Sequence, residues 1–559
     1  MNGKKLDGPF IFRLNDNGVA PHLLVQVCIE RGWREYTGDT NHAFKDHWNL
    51  WWKSGGFATS LYKSLLPWQF INRIPKGSSI CRKDNLIRHL KCMRQVYGSI
   101  YDISPIGYNL PSEYTKLAAD FSRLENDNRV WICKPVGQSQ GRGIFLFRKL
   151  SDLIYDGSAV VQRYIEKPLL IGGYKFDLRL YVCVPSYRPL VIYLYNEGLT
   201  RFATQKFSLD NLNDPYRHLT NFALNKLGPG YSQKKERIGA GSKWSFRQLR
   251  RYMNQSGLQD WFLWQRIACL VTLTILSQTA GIPKSLNCFE FFGFDVLIDV
   301  NLKPWLLEVN LSPALGNDCE VDSEVKKPLL HDLFDLLGLP VCNTGLSLFK
   351  IWSTSNSKKN NHHNNINNNN NTTYCAEYNC CASKYNKPRC SKQRCKFNSN
   401  SSVNFLNINS ETFQQSPTQN YVNSYSCCHS AGFEKKLRRY NQLNHKVNSV
   451  ITSNNNSEKT IWDNGKNWND PKTREGGWIR IYPIIDYQLL ENIDDDQSIY
   501  LNDVKAHDKE IRNSVLSIQK FIKVAKDINR EFGKYGDKRC NELLRQELNL
   551  STEIWLPDK

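Results

Sequence analysis

Phe294-Asp-Val-Leu-Ile-Asp-Val-Asn-Leu-Lys-Pro-Trp-Leu-Leu-Glu-Val-Asn310 places two apolar, β-prone runs on either side of a short polar turn. This pattern predicts a β-hairpin. With the turn centred on Asn301 and Leu302, Asp295 pairs across the ladder with Glu308, and directly opposed residues on one face lie close together. Asn310 follows Glu308 by two residues, so the alternation of a strand puts it on the same face.

This predicted hairpin brings two carboxylates and one amide oxygen together within an apolar sheet. Like charges at short distance repel each other unless a cation lies between them. Hard oxygen ligands, with room for phosphate oxygens, suit Mg²⁺. The alternative is that these are solvent-facing side chains of an ordinary amphipathic hairpin, and the hairpin alone does not separate the two interpretations.

A second predicted strand, Lys175-Phe-Asp-Leu-Arg-Leu-Tyr-Val-Cys-Val184, alternates between an apolar and a charged face. The charged face carries Lys175, Asp177, Arg179 and Tyr181. A row of cation, anion and cation beside a metal site suits a bound nucleotide and a charged reacting group. The alternative is an edge strand, since edge strands often carry charges that resist aggregation.

Upstream, Trp131-Ile-Cys-Lys134-Pro reads as a strand end before the loop Gly137-Gln-Ser-Gln-Gly-Arg-Gly143. Glycines let backbone N–H groups approach phosphates closely, and Lys134 adds a point charge. The spacing fits neither a P-loop nor a dinucleotide fingerprint. The next strand, Ala159-Val-Val-Gln-Arg-Tyr-Ile165, leads into a loop whose backbone could contact an adenine edge.

Composition limits the classes of protein to which this chain can belong. The chain has 559 residues, 40% of them apolar, and a formal net charge of +21, which favours acidic partners. The N-terminus has no apolar segment typical of a signal peptide, and the run Ile267–Leu276 is too short to span a bilayer. We therefore expect a soluble intracellular protein, whose 17 cysteines are thiols.

The composition changes after about residue 345. Residues 346–460 are rich in Asn, Ser and Cys, which predicts a disordered insert, although a structural zinc site among its seven cysteines is an alternative. Residues 461–559 form a basic region in which Trp478–Ile485 alternates like a strand and Ser498–Leu548 is helical in pattern. This helix is either a partner-binding surface or an amphipathic helix docked on the core.

The motifs appear in a fixed order that resembles the tubulin–tyrosine ligase-like family, and most of all its polyglutamylase branch. The resemblance covers roughly residues 31–337. The matching motifs are Trp48-Asn-Leu-Trp-Trp, Pro67-Trp-Gln, Arg82-Lys-Asp, Trp131-Ile-Cys-Lys-Pro with its Gly-rich loop, Val161-Gln-Arg-Tyr-Ile, Lys175-Phe-Asp-Leu-Arg, Arg201-Phe-Ala-Thr, His218-Leu-Thr-Asn, Phe294-Asp-Val-Leu-Ile-Asp and Trp305-Leu-Leu-Glu-Val-Asn.

The resemblance implies an α+β, ATP-grasp fold that holds the nucleotide between two lobes. It places an N-terminal domain at residues 1–110, a central lobe at 111–185 and a C-terminal lobe at 186–345. It assigns ATP contacts to Lys134, Gln140, Gly141, Gln162, Arg163, Tyr164, Ile165, Lys175, Asp177, Thr220 and Asn221. It assigns Mg²⁺ to Asp295, Glu308 and Asn310, the incoming amino acid to Arg201, Lys243 and Lys326, and catalysis to Arg179, Lys175 and Glu308.

The implied activity is ATP-dependent addition of glutamate to glutamate side chains of tubulin tails, through an acyl phosphate and an isopeptide bond. The implied partners are tubulin or microtubules and free L-glutamate. We expect a monomer without nucleic-acid binding or membrane insertion, in the cytoplasm and cytoskeleton, including cilium, flagellum or basal body. Because Phe222 and Ala223 stand where relatives often carry polar residues, glycine remains a rival to glutamate. Two further hypotheses are a ligase for a non-tubulin acidic protein and an inactive microtubule-binding scaffold.

Overall fold

The computed structural model describes residues 10–14, 21–36, 48–123, 128–226, 228, 243–342, 464–484 and 499–559, without the side chains of residues 222, 223 and 499–505. These residues belong to one compact unit, formed by Met1–Phe349 and Thr460–Lys559. The predicted disordered insert at 346–460, with its seven cysteines and the alternative zinc site, lies outside them. Each of the ten cysteines that they include carries a free thiol.

The first part of the unit is built around a small parallel sheet. Its elements are β1 (Ile11–Arg13), α1 (His22–Glu30), β2 (Arg34–Glu35), β3 (Leu50–Trp51), α2 (Leu61–Ser64), β4 (Phe70–Ile71) and α3 (Lys83–Tyr97). The strand order is β2-β1-β3-β4. Helix α1 buries Leu23, Leu24 and Val27 in a core that also contains Phe10, directly before β1, and Phe12, within β1.

A second, antiparallel sheet follows and carries the predicted loop of glycines. Its elements are β5 (Gly107–Leu110), α4 (Tyr114–Arg123), β6 (Trp131–Pro135), β7 (Phe145–Phe147) and β8 (Ala159–Arg163), with the strand order β5-β8-β6-β7. Trp131, Phe147 and Val161 form its own small core. Strand β6 ends at Pro135, and the glycine loop connects it to β7.

The third sheet is the largest and has nine strands. In chain order, its strands and the helices between them begin with β9 (Leu170–Ile171), β10 (Tyr174–Tyr187), β11 (Leu190–Tyr195), β12 (Leu199–Lys206), α5 (Pro215–His218), α6 (Phe222–Asn225), β13 (Lys243–Ser245), α7 (Phe246–Gln255) and α8 (Trp261–Leu276). They continue with β14 (Glu290–Ile298), β15 (Pro304–Asn310) and α9 (Glu320–Leu336).

Strand β10 lies inside this sheet, with β11 and β12 along one edge and β14 along the other. The alternative prediction of an edge strand is therefore wrong. The leucines at 178 and 180 pack into one core and Tyr181 packs into another, which confirms the predicted alternation of faces. Since both faces are covered, the charged side chains of this strand are buried and need partners within the protein.

The C-terminal region completes the same unit. It contains β16 (Arg474–Glu475), β17 (Trp478–Tyr482), α10 (Ile499–Phe532) and α11 (Asp537–Leu548). Strand β17 pairs antiparallel with β11, so the predicted strand is confirmed. Helix α10 buries Val515, Ile518 and Phe521 in the core that α8 also lines. The interpretation of an amphipathic helix docked on the core is therefore confirmed.

The described residues thus form a mixed fold of helices and sheets, as predicted. The division of the core at residues 110 and 185 stays a prediction. Within the described ranges, none of the helices combines the length and the apolar character that crossing a bilayer requires.

Candidate functional site

The β14–β15 hairpin brings the two predicted carboxylates together. Asp295 pairs with Glu308, as predicted, and Gly293 pairs with Asn310. Val296 pairs with Leu306, so a β-bulge lies between these two registers. The turn is centred on Asn301 rather than between Asn301 and Leu302, and without the bulge Asp295 would face Leu307 instead. The bulge therefore directs the Glu308 carboxylate towards Asp295.

Asp295 is 2% exposed and is neutralised by two arginines. Arg179 donates from Nε and Nη2 to its two oxygens, over 2.6 and 3.1 Å, and Arg201 Nη2 lies 2.8 Å from Oδ2. Burial raises the pKa of this carboxyl, but the two guanidinium groups outweigh burial and hold the pKa well below its usual range. Asp295 is therefore a fixed negative charge.

The pKa of Glu308 is shifted in the opposite direction from that of Asp295. Burial raises its pKa, and the neighbouring Asp295 carboxylate raises it further. Asn310 Nδ2 lies 3.4 Å from Glu308 Oε1, so the amide is beside the carboxylate pair, as the strand alternation predicts. A cation between Asp295 and Glu308 would relieve their mutual repulsion.

The residues fit a divalent cation with oxygen ligands. Two carboxylates and an amide are the donor chemistry that Mg²⁺ prefers, with remaining positions for water or phosphate oxygens. Within the described ranges, no group of three or more His, Cys, Asp or Glu side chains could hold a metal ion. The predicted set contains only two such side chains, so it relies on the amide and on a ligand from outside the protein.

The hairpin forms part of the floor of a cleft that holds about 820 Å³ of empty space, part of it continuous with solvent. All eleven residues predicted to contact ATP line this cleft, and so do Asp295 and Glu308. Five other predicted residues do not line it, namely Asn310, Arg179, Arg201, Lys243 and Lys326. The cleft therefore gathers residues from β6, β8, β10, β14 and β15 and from the loops after α5 and β6.

Two lysines in the cleft have unusually low pKa values. Lys134 Nζ donates to Gln162 Oε1 over 2.8 Å, and burial lowers its pKa to about 8. Lys175 Nζ donates to Tyr164 Oη over 2.9 Å and to the His218 backbone oxygen over 2.8 Å, and burial lowers its pKa to about 7. A bound polyanion would favour the charged form of both lysines, so the cleft is complementary to phosphate groups.

The glycine loop closes over the same cleft. Gly141 has φ +80°, and a Cβ at this position would lie 3.0 Å from Asn221 Oδ1. Any larger residue would thus be strained and would push the loop away from Asn221. Gln140 also has a positive φ of 62°. Two consecutive left-handed residues therefore shape the loop where it lines the cleft.

The residues predicted to hold the incoming amino acid meet at one place. Arg201 on β12 pairs with Lys243 on β13, and Arg201 binds Asp177 through Nε and Nη2 over 2.8 and 2.5 Å. Lys243 Nζ lies 2.6 Å from Asp322 Oδ2, and Lys326 Nζ lies 2.8 Å from Asp322 Oδ1. Arg179, predicted to act on the phosphoryl group, joins the same network through Asp295. The side chains of Phe222 and Ala223 lie outside the described part of the structure.

Sequence reasoning missed two charged residues of the site. Lys83, at the start of α3, lines the cleft and donates to the Gln138 backbone oxygen over 2.7 Å. Its motif, Arg82-Lys-Asp, carries the resemblance but gave no signal that the lysine reaches the glycine loop more than fifty positions away. Asp322, the second residue, lies in an ordinary helical pattern that contains other acidic residues.

Comparison with known proteins gives the family. A sequence model described as the Tubulin-tyrosine ligase family matches residues 61–345. The chain is 46% identical, over 336 residues, to a human protein named probable tubulin polyglutamylase TTLL2, and the match covers 59% of this chain and 56% of that protein. It is 38% identical, over 314 residues, to the human tubulin polyglutamylase TTLL5, covering 54% of this chain and 24% of that protein.

A third relative comes from Tetrahymena thermophila. Its probable beta-tubulin polyglutamylase is 38% identical over 305 residues, which are 52% of this chain and 26% of that protein. The chain thus spans between about a quarter and somewhat over half of the length of these relatives.

Proposed function

Because the chain belongs to the tubulin-tyrosine ligase family, we propose that it is an ATP-dependent ligase that adds glutamate to glutamate side chains of tubulin tails. The names of the three relatives support polyglutamylation. The observation that carries the proposal is that half-buried Lys134 and buried Lys175 line one cleft, and their lowered pKa values suit a site that binds a polyanion. ATP is the polyanion that we assign to it.

The proposed arrangement is that of an ATP-grasp fold. The cleft lies between the sheet that contains β6 and β8 and the sheet that contains β10 and β14, which supports a nucleotide held between two lobes. Lys134, Lys175 and Lys83 would bind phosphate oxygens, and the loop at Gly141 would cover them. Tyr164 and Ile165, at the end of β8, would contact the base.

Asp295, Glu308 and Asn310 would hold Mg²⁺ at the end of the cleft where these lysines converge. The ion would offset the negative charge of the phosphates as an acceptor carboxylate approaches. Arg179 donates to Asp295, so its guanidinium is fixed beside the position that we assign to the reacting phosphoryl group. Such a preorganised cation stabilises charge that develops during transfer.

The proposed reaction has two steps. The acceptor carboxylate takes the γ-phosphoryl group of ATP and releases ADP, which gives an acyl phosphate. The α-amino group of free glutamate then attacks the carbonyl carbon and releases phosphate, which leaves an isopeptide bond. Arg201, Lys243 and Lys326 would bind the carboxylates of the incoming glutamate through charge-assisted hydrogen bonds. No side chain of the protein forms a covalent bond in this scheme.

The proposed partner is the acidic tail of tubulin in microtubules, which places the protein at the cytoskeleton. The net charge of +21 supports attraction to such a tail. Cilium, flagellum and basal body, where microtubules are abundant, are the further locations that we propose. We also propose that the chain acts as a monomer.

Mass spectrometry of tubulin tails tests this proposal directly. The protein is incubated with microtubules, ATP, Mg²⁺ and an equimolar mixture of amino acids. We expect tails whose mass increases in steps of one glutamyl residue, only when ATP is present. Steps of one glycyl residue would replace the polyglutamylase assignment with a glycylase. Unmodified tails, together with microtubule binding, would favour the inactive scaffold.

A further inference from the structure

Asp322 connects three parts of the chain beneath the proposed amino-acid site. It is fully buried, and its two oxygens lie 2.6 Å from the Lys243 ammonium and 2.8 Å from the Lys326 ammonium. Its Oδ2 also accepts from the backbone N–H groups of Asp318 and Cys319, each over 3.2 Å. One carboxylate thereby joins β13, the loop before α9 and α9 itself.

Both buried lysines have this carboxylate as an ionic partner. Lys243 is 7% exposed and Lys326 is 3% exposed, and burial disfavours an ammonium group. Burial lowers the pKa of Lys326, while Asp322 opposes this effect. Two nearby cations, Lys243 and Arg179, lower the pKa of Lys326 further, and its ammonium also donates to the Gly316 backbone oxygen over 2.7 Å. Without Asp322, two cations and burial would all favour loss of the Lys326 proton.

We propose that Asp322 is a positioning residue that holds Lys243 and Lys326 in place, and keeps Lys326 charged, for the carboxylates of an acidic amino acid. This inference rests on the proposed function and narrows its substrate class. An amino acid with two carboxylates can use both lysines in addition to Arg201. Glycine, which has one carboxylate, gains less from a second fixed ammonium group.

The variant that tests this role is Asp322→Asn. Asparagine keeps an oxygen that can accept from the Asp318 and Cys319 backbone, so the start of α9 is preserved while the charge is removed. The matched control is Asp318→Asn, since Asp318 is 35% exposed and lies 3.9 Å from Lys243. Calorimetry measures binding of L-glutamate, glycine and a non-hydrolysable ATP analogue with Mg²⁺. Because no tubulin is present, the result is independent of whether tubulin is the acceptor.

We expect the unaltered protein to bind glutamate more tightly than glycine. Asp322→Asn should weaken glutamate binding roughly tenfold at about pH 8.5, with affinity for the ATP analogue unchanged within about twofold. The weakening should diminish as the pH is lowered to about 6.5, because Lys326 regains its proton. Asp318→Asn should leave both affinities within about twofold of the unaltered protein.

A second variant distinguishes the loss of the Asp322 charge from a purely structural effect. Asp322→Glu keeps the negative charge, so any loss of glutamate binding in this variant should not recover at low pH. Equal loss of glutamate and nucleotide binding in Asp322→Asn would overturn the proposal, as would a loss that does not change with pH. Tighter binding of glycine than of glutamate by the unaltered protein would also overturn it.

Discussion

Asp295 and Glu308 are neighbours across the hairpin, yet we predict that neutralising them has opposite effects on stability. Asp295 balances Arg179 and Arg201, which are both buried. Asp295→Asn removes the counter-charge of Arg179 and leaves Arg201 with Asp177 alone. Breaking a buried pair in this way destabilises a protein by about 3–5 kcal/mol. We therefore expect a clear fall in the free energy of unfolding.

Glu308→Gln should leave the free energy of unfolding equal to, or above, that of the unaltered protein. Burial and the Asp295 carboxylate raise the pKa of Glu308, which means that its negative charge opposes folding when no cation is bound. A neutral amide removes this repulsion. Both variants should nevertheless lose ligation, by about 100- to 1000-fold in kcat, since each removes a charge beside the reacting phosphate.

Urea unfolding at pH 7, followed by circular dichroism without metal or nucleotide, measures stability, and radiolabelled glutamate incorporation measures activity. The expected pattern is a destabilised, inactive Asp295→Asn and a stable, inactive Glu308→Gln. Equal destabilisation of both variants would refute the electrostatic reasoning, because it would mean that the two carboxylates have the same environment. Full activity of Glu308→Gln would refute its role at the metal site.

Three further predictions concern other parts of the molecule. Burial raises the pKa of Glu290 from 4.5 to about 8, so we expect the free energy of unfolding to fall as the pH rises through this interval. In urea titrations Glu290→Gln should flatten this pH dependence, and an unchanged slope of unfolding free energy against pH would contradict the prediction. Trp478→Ala should destabilise the protein by about 3–5 kcal/mol, because Trp478 is fully buried in β17. The control is Leu516→Ala on α10, where the side chain is 52% exposed, and it should change the free energy of unfolding by less than about 0.5 kcal/mol. If Trp478→Ala changed the free energy of unfolding no more than this control, β17 would not be part of the core. Co-sedimentation with microtubules should weaken steeply between about 50 and 300 mM salt, and salt-insensitive binding would argue against electrostatic attraction to tubulin tails.

Local patterns in the sequence were sufficient for the strands that carry the site. The two faces of β10 follow from strict alternation between 175 and 184, and the hairpin follows from two apolar runs around a polar turn. The pairing of Asp295 with Glu308 was also predicted, although its cause was different. The turn is centred half a residue earlier than predicted, and the β-bulge after Asp295 restores the register. A bulge depends on how the strand packs against β10, so periodicity alone does not reveal it.

The sequence by itself determined the order of the motifs, the mixed fold, the hairpin and the amphipathic helix near the C-terminus, because each depends on residues that are neighbours in the chain. Only the tertiary structure decided that Lys83 reaches the glycine loop, that Arg179 and Arg201 share Asp295, and that Asp322 serves both Lys243 and Lys326. These contacts join residues that are distant in the chain, and several acidic partners would satisfy any of the cations equally well. Which partner is chosen depends on burial, since a charge removed from water must be paired with whatever the fold places beside it.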